Sequence, residues 1–140
     1  MNAGATGNVV LIDTSVWIRV LRKDASLPLK ARVQDLIGDG RIAIIPLIAM
    51  ELLGGINSQS EYLRLKSRLD SLQKIHLTEK DWEIAAFNAF KLRRKGIIAP
   101  YIDIIISTAA SLYNLPLLHA DRHYDLLAKE FNLVVENILE

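Results

Sequence analysis

The sequence predicts an α/β protein: a three-layer α/β/α fold with a central, mostly parallel sheet of four to five strands. Short runs of branched aliphatic residues, typical of strands buried on both faces, alternate with segments of helical period. Alternation of strands and helices favours parallel strands joined by helical crossovers. The length of 140 residues fits a single domain, and a content of 51% hydrophobic residues suffices for a buried core.

In the first half of the chain, each predicted strand is an apolar run and each predicted helix carries a start or stop signal. Strands are predicted over residues 9–12 and 42–45, and helices over 14–21, 28–37, 46–53 and 58–72. Gly38 and Gly54 end two of these helices, and Pro46 suits the first turn of another. Ser58 followed by Glu61 is a capping-box pattern, which indicates the start of the fourth helix.

The second half of the chain continues the same alternation. Strands are predicted over residues 75–77, 115–120 and 133–135, and helices over 79–95, 101–113 and 121–131. Thr78 opens the first of these helices and Gly96 ends it. The helix over 101–113 is apolar nearly all round, so we expect it to be deeply buried. Asp121 is expected to open the last helix.

Composition excludes several classes of protein. Without cysteine, the chain has no disulfides, thiolate nucleophiles or zinc–thiolate sites, which suits the cytoplasm. No apolar stretch nears the roughly 20 residues that span a bilayer, so no membrane association is expected. Residues 1–7 are small and polar and lack a secretion-signal pattern, so they are predicted to be a disordered tail before a single domain over 8–140. The net charge of +1 neither requires nor forbids a nucleic-acid partner.

Four acidic residues stand where a charge is costly or where α/β sheets bind ligands. Asp13 follows the first strand and Asp121 follows the strand over 115–120. The carboxyl ends of parallel strands share one edge of the sheet, so both acids should lie at that edge. Glu51 lies between Met50 and Leu52 in the helix after the second strand. Asp103 lies in the first turn of the buried helix, where the helix dipole stabilises an anion.

Each acid also has a structural explanation. Asp13 and Asp121 can cap the helices that follow them, and Asp103 can simply complement the helix dipole. Glu51 can lie on a solvated helix face, although buried glutamate is rare without a partner. Each explanation accounts for one acid, and none explains why strand ends of a parallel sheet carry them.

If the four acids converge, they form an anionic pocket. Carboxylates a few ångströms apart repel, so at least one would have its pKa raised unless a cation neutralised it. Oxygen ligands without histidine or cysteine favour Mg²⁺ or Mn²⁺ over zinc. Such an ion can lower the pKa of a bound water and hold a phosphate oxygen, which suits phosphodiester hydrolysis. The predicted catalytic and metal-binding residues are therefore Asp13, Glu51, Asp103 and Asp121.

Neighbouring polar residues are predicted to assist this site. The hydroxyls of Thr14 and Ser15 can orient the Asp13 carboxylate, and Ser107 shares a helix face with Asp103. Arg19 and Arg22 follow the helix after Asp13 and are the candidate substrate contacts.

Three further residues near Asp121 keep alternative interpretations. His119 and His123 could bind metal or phosphate or relay protons, but a structural or surface role is favoured, because carboxylate sites for Mg²⁺ rarely use imidazole. Asp125 could be an auxiliary acid, although a position one turn into a helix favours a solvated side chain.

Four segments together resemble the PIN-domain family, and within it the VapC-type toxins of bacterial toxin–antitoxin pairs. In chain order they are LIDTSVWI (11–18), AMELLGG (49–55), DIIISTAA (103–110) and LLHADRHYD (117–125). The resemblance implies a ribonuclease dependent on Mg²⁺ or Mn²⁺, usually dimeric and held inactive by a cognate antitoxin. The family's acidic quartet carries over to the four acids above, and its hydroxyl after the first aspartate to Thr14 or Ser15. Many members have threonine before the last acid, where this chain has His119 and Ala120.

The leading hypothesis is thus a cytoplasmic, metal-dependent endoribonuclease, the toxin of a toxin–antitoxin pair, with RNA, an antitoxin and a second copy of itself as partners. The alternatives are a PIN-like nuclease in RNA processing outside a toxin pair, and a non-catalytic metal- or RNA-binding module. A phosphoaspartyl phosphatase usually needs a second acid where Ser15 stands. A receiver domain needs paired acids after the first strand, and nucleotide binders need a glycine-rich phosphate loop; neither pattern is evident.

Overall fold

A computed structural model describes residues 9–139 of the chain. The predicted tail over residues 1–7 lies outside them, as do Asn8 and Glu140. The strands are β1 (Val10–Ile12), β2 (Ile42–Ile44), β3 (Gln73–Lys74), β4 (Leu117–His119) and β5 (Val135–Asn137). The helices are α1 (Thr14–Val20), α2 (Leu27–Gly38), α3 (Pro46–Gly54), α4 (Gln59–Asp70), α5 (Glu79–Arg94), α6 (Tyr101–Leu112) and α7 (His123–Phe131).

The five strands form one parallel sheet in the order β3-β2-β1-β4-β5. Helices flank this sheet, which confirms the predicted α/β class with a central parallel sheet. β1 lies in the middle, where Val10 pairs with Ile42 on one side and Leu11 pairs with Leu117 on the other. Because β1 and β4 are parallel neighbours, the residues that follow them meet at one edge. The backbone N–H of Asp13 donates to the carbonyl of Leu118 over 2.9 Å.

The central strands are buried because their side chains are aliphatic on both faces. Leu11, Ile12, Ile42 and Leu117 are almost completely inaccessible to solvent. Helix α6 buries the residues from Ile106 to Ala110, as its apolar composition predicts, while Tyr101 at its start is exposed. Within residues 9–139, no helix combines the length and the apolar character needed to cross a membrane.

Local start signals explain most helix beginnings. Pro46 is the first residue of α3, and the Ser58 hydroxyl accepts from the Glu61 N–H at the start of α4. At the start of α5, Thr78 and Asp81 form a reciprocal capping box. With these contacts, the three helices begin close to where the sequence predicts them.

Two predicted strands are displaced along the chain, and one predicted helix begins later than expected. The third strand is Gln73–Lys74 instead of 75–77, since pairing to β2, and not apolar content, determines where this exposed edge strand lies. The last strand, at the opposite edge, is Val135–Asn137 instead of 133–135 because it pairs with β4 from Leu117 onward. The last helix begins at His123, and Arg122, not Asp121, occupies the N-cap position.

Candidate active site

Asp13 is buried at the junction between β1 and α1, and each of its carboxylate oxygens accepts hydrogen bonds. Oδ2 accepts from the backbone N–H of Ser15 over 3.0 Å and from the Ser15 hydroxyl over 2.5 Å. Oδ1 accepts from the Tyr124 hydroxyl over 2.8 Å. Asp13 is therefore the N-cap of α1, as the structural explanation expected, and it also shares the Tyr124 hydroxyl with Asp103.

Ser15 connects the ends of the two central strands. Its Oγ atom donates to Asp13 and accepts from the backbone N–H of Ala120 over 3.0 Å. A buried N–H needs an acceptor, and at the end of β4 a side chain supplies it. The contact agrees with the predicted role of this hydroxyl in orienting Asp13.

Replacing Ser15 with alanine is expected to lower the free energy of unfolding by about 1–3 kcal/mol, because the partly buried Ala120 N–H loses its acceptor. Urea unfolding followed by circular dichroism measures the change. Ser71→Ala is the matched control, since within residues 9–139 the exposed Ser71 hydroxyl bonds only to the carbonyl of Arg68 and its loss should change stability by less than about 0.5 kcal/mol. Equal losses in the two variants would contradict the role of Ser15.

Glu51 joins the site through its neighbour Thr14. The Thr14 hydroxyl donates to Glu51 Oε1 over 2.7 Å, which links the start of α1 to α3. Glu51 is half-buried and hydrogen-bonded, so it does not lie on a freely solvated helix face. The side chain that directly follows Asp13 thus orients this carboxylate.

Asp103 has the most unusual environment of the four acids. Its Oδ1 atom lies 3.3 Å from the Tyr124 hydroxyl, but Oδ2 is buried and, within residues 9–139, accepts no hydrogen bond. Burial, together with the charges of Asp13 and Asp121, raises the pKa of Asp103 to about 6. A carboxylate oxygen without a donor is costly, and a cation would relieve that cost.

Asp121 and His123 complete the polar group on the other side of Asp103. Asp121 Oδ1 accepts from the backbone N–H of His123 over 3.0 Å and lies 3.3 Å from His123 Nδ1. His123 Nδ1 is also 3.6 Å from Asp103 Oδ2. One ligand atom from each of the three residues lies within 4.8 Å of the others, a spacing that could hold a metal ion. The sequence favours a structural or surface role for His123. Its position two residues after Asp121 is the feature of the sequence that could have indicated a place beside the acids.

His119 supports the backbone that carries Asp121. The imidazole is fully buried, and its Nδ1 accepts from the Asp121 N–H over 3.2 Å. On the opposite side of the ring, Nε2 lies 3.3 Å from Asp125 Oδ1 without hydrogen-bond geometry. Asp125 Oδ2 accepts from the Asn137 amide over 3.1 Å. These contacts fit the structural role that the sequence favoured for His119.

Tyr124 is the residue of this site that sequence reasoning missed. Its side chain is completely buried, and its hydroxyl lies between Asp13 and Asp103. Burial and the two neighbouring carboxylates raise the pKa of the phenol, so the hydroxyl stays protonated and remains a donor. Its position three residues after Asp121 could have suggested a side chain that reaches the same edge.

Three predicted accessory residues form no hydrogen bond with the four acids within residues 9–139. Ser107 is buried one turn after Asp103, and its hydroxyl has no hydrogen-bond partner among residues 9–139. Arg19 and Arg22 are exposed and line a cavity of about 350 Å³ with Ile138 and other residues. Within the described part of the chain, no hydrogen bond or ion pair joins either arginine to the four acids.

The chemistry of this donor set fits a divalent cation. Asp13, Asp103 and Asp121 come together at the carboxyl edge of the sheet, and Glu51 is hydrogen-bonded to Thr14, the residue that follows Asp13. The group is rich in anionic oxygen, which hard cations prefer, and one imidazole nitrogen is added. Asp103 Oδ2, buried and without a donor in the described part of the chain, is the atom that most needs such a charge.

Comparisons with known proteins agree with this architecture. A family model described as the PIN domain matches residues 10–130. Ribonuclease VapC11 of Mycobacterium tuberculosis is 29% identical over 129 residues, which cover 89% of this chain and 96% of that protein.

Two solved structures share the fold of this chain. A chain of VapBC2 from Rickettsia felis, bound to a DNA fragment from its promoter, matches with a TM-score of 0.76 at 20% identity. The match covers 92% of this chain and 98% of the chain from Rickettsia felis. A chain of VapBC-1 from nontypeable Haemophilus influenzae matches with a TM-score of 0.74 at 16% identity. The match covers 94% of this chain and 99% of the chain from Haemophilus influenzae. At these identities the structural likeness shows a shared fold.

Proposed function

This chain belongs to the PIN domain family, and we propose that it is a metal-dependent endoribonuclease that acts as the toxin of a toxin–antitoxin pair. The observation that carries the proposal is the buried Asp103 Oδ2, which has no hydrogen-bond donor within residues 9–139 and lies beside Asp121 and His123. The similarity to a ribonuclease over almost the whole chain supports the choice of RNA as substrate. The structural neighbours that are toxin–antitoxin complexes support the biological role.

We assign the binding of Mg²⁺ or Mn²⁺ to the four acids, directly or through water. Asp103 and Asp121 face one another across the site, and His123 lies between them. Asp13 is held by Ser15 and Tyr124, and Glu51 is held by Thr14. When bound, the ion supplies charge neutralisation for the phosphodiester and activation of a water molecule.

The residues of the chain contribute orientation and charge to this chemistry. Hydrogen bonds from Ser15 and Tyr124 keep the Asp13 carboxylate in one orientation, so little reorganisation is needed on binding. The exposed Arg19 and Arg22 are our proposed contacts for RNA phosphates beyond the acidic group. Bringing an anionic backbone to an acidic site requires both the metal and such positive charge.

The proposal predicts that the purified protein, freed of antitoxin, cleaves total cellular RNA with Mg²⁺ or Mn²⁺ and not with EDTA. Removal of the cation leaves close carboxylates that repel the phosphodiester, so we expect no cleavage above background. Gel analysis of RNA fragments measures the reaction, and excess Mn²⁺ added after EDTA should restore it. Cleavage that continues unchanged in EDTA would refute a metal-dependent nuclease.

We further propose an antitoxin, a homodimer and the cytoplasm as the setting of this activity. Exposed aromatic side chains on α5, Phe87 and Phe90 among them, offer apolar surface for a protein partner. An RNA substrate and a chain without cysteine suit the cytoplasm. Sedimentation of the purified protein determines the oligomeric state, and growth arrest on expression tests the toxin role.

A further inference from the structure

The hydroxyl of Tyr124 is shared by two acids that come from distant parts of the chain. It lies 2.8 Å from Asp13 Oδ1, at the end of β1, and 3.3 Å from Asp103 Oδ1, in the first turn of α6. The tyrosine itself is in the first turn of α7. A single protonated donor therefore connects three elements at the point where two carboxylates would otherwise face one another.

These contacts determine which oxygen atoms remain for a cation. Both oxygens of Asp13 accept hydrogen bonds, from Ser15 and from Tyr124. On Asp103 the phenol lies beside Oδ1, so that Oδ2 is the atom next to His123 and near Asp121. Rotation of the Asp103 carboxylate about its last bond would exchange these two oxygens, and the contact to Tyr124 opposes that rotation.

We propose that Tyr124 is a positioning residue of the metal site, whose hydroxyl holds the Oδ1 atoms of Asp13 and Asp103 and thereby presents Asp103 Oδ2 to the cation. The inference rests on the proposed metal-dependent function and deepens it. Tyr124 acts through the two acids and contacts neither the ion nor the RNA.

The hydroxyl, and not the aromatic ring, is the part of Tyr124 that serves the site. The ring packs against the imidazole of His119 with centroids 5.2 Å apart, and a phenylalanine would retain this packing. Its burial is complete, so water does not replace the hydroxyl from the solvent side. The two functions of the side chain can therefore be separated by removing one oxygen atom.

The test is calorimetric titration of Mn²⁺ into the RNA-free wild-type protein and the Tyr124→Phe variant. We expect the variant to bind Mn²⁺ about 10–100-fold more weakly, the usual effect of losing a hydrogen bond that orients a metal ligand. Tyr113→Phe is the matched control, because Tyr113 donates to Asp81 Oδ2 over 2.5 Å at the opposite end of α6. Its Mn²⁺ affinity should equal that of the wild type.

A second readout separates positioning from general stability. If the hydroxyl only positions Asp103, RNA cleavage by Tyr124→Phe should return to near the wild-type maximum when Mn²⁺ is raised by the same factor by which affinity fell. Equal Mn²⁺ affinity in wild type and Tyr124→Phe would overturn the inference, as would a variant that does not fold or one that excess Mn²⁺ does not rescue. A wild-type protein that binds Mn²⁺ without cleaving RNA would count against the proposed nuclease alone, and the calorimetric comparison would still decide the role of Tyr124.

Discussion

Asp103→Asn is expected to reduce RNA cleavage by about a thousandfold or more while leaving the chain folded. The side chain carries the one buried carboxylate oxygen of the site that no donor satisfies within residues 9–139, and asparagine removes its charge without changing its shape. Loss of a metal-stabilised transition state costs several kcal/mol, and each 1.4 kcal/mol is about tenfold in rate.

Single-turnover cleavage of RNA in saturating Mn²⁺ measures this loss, and circular dichroism confirms the fold. Asp13→Asn should show a loss of the same order, because Asp13 is one of the acids to which we assign the metal and its charge acts directly on Asp103. Asp70→Asn is the control: Asp70 is an exposed acid at the end of α4, paired with Lys66 and Lys74, and its removal should leave cleavage unchanged. Full activity in both Asp13→Asn and Asp103→Asn would refute the proposed role of the acids.

The metal-free protein is expected to gain stability from Asp103 as the pH falls. In the folded chain, burial and the neighbouring acids raise the pKa of Asp103 to about 6, whereas an unfolded aspartate titrates near 3.9. The folded state therefore binds the proton more tightly. The stability from Asp103 is fully present below the unfolded pKa and is lost as the pH rises through 6. Between pH 5 and pH 7.5 this loss amounts to about 1 kcal/mol.

Comparison with Asp103→Asn isolates this contribution from the other groups that titrate in the same range. In EDTA at pH 7.5 the variant should be more stable than the wild type by about 1–3 kcal/mol, since it has no charge to bury. This difference should shrink as the pH is lowered to 5, and saturating Mn²⁺ should reverse it by stabilising the wild type. Urea unfolding at both pH values measures these free energies, and a difference that stays constant with pH would show that Asp103 does not titrate in this window.

The buried centre of the fold and the placement of Asp13 and Asp121 could be predicted from sequence alone. Runs such as Leu11–Ile12 and Leu117–Leu118 are typical of central strands buried on both faces, and a parallel topology brings their carboxyl ends to one edge. Asp103 could also be located in the first turn of a buried helix, because the segment that forms α6 is apolar nearly all round. These features follow from local composition and from the geometry of parallel sheets.

The edge strands were located less well because their sequences carry little apolar signal. Gln73, Lys74 and Glu136 are exposed, and only their backbone pairing to β2 and β4 makes them strands. Such pairing is a long-range contact that no local window contains.

The sequence by itself determined that this chain folds as an α/β protein with acids at the carboxyl edge of a parallel sheet, because apolar runs and their alternation with helical segments depend on residues close in the chain. Only the tertiary structure decided that Tyr124 bridges Asp13 and Asp103, that Asp103 Oδ2 is buried without a donor among residues 9–139, and that His123 stands beside it. The physical reason is that a carboxylate's partners and its pKa depend on atoms within a few ångströms, and here those atoms come from segments about 20 to 110 residues apart.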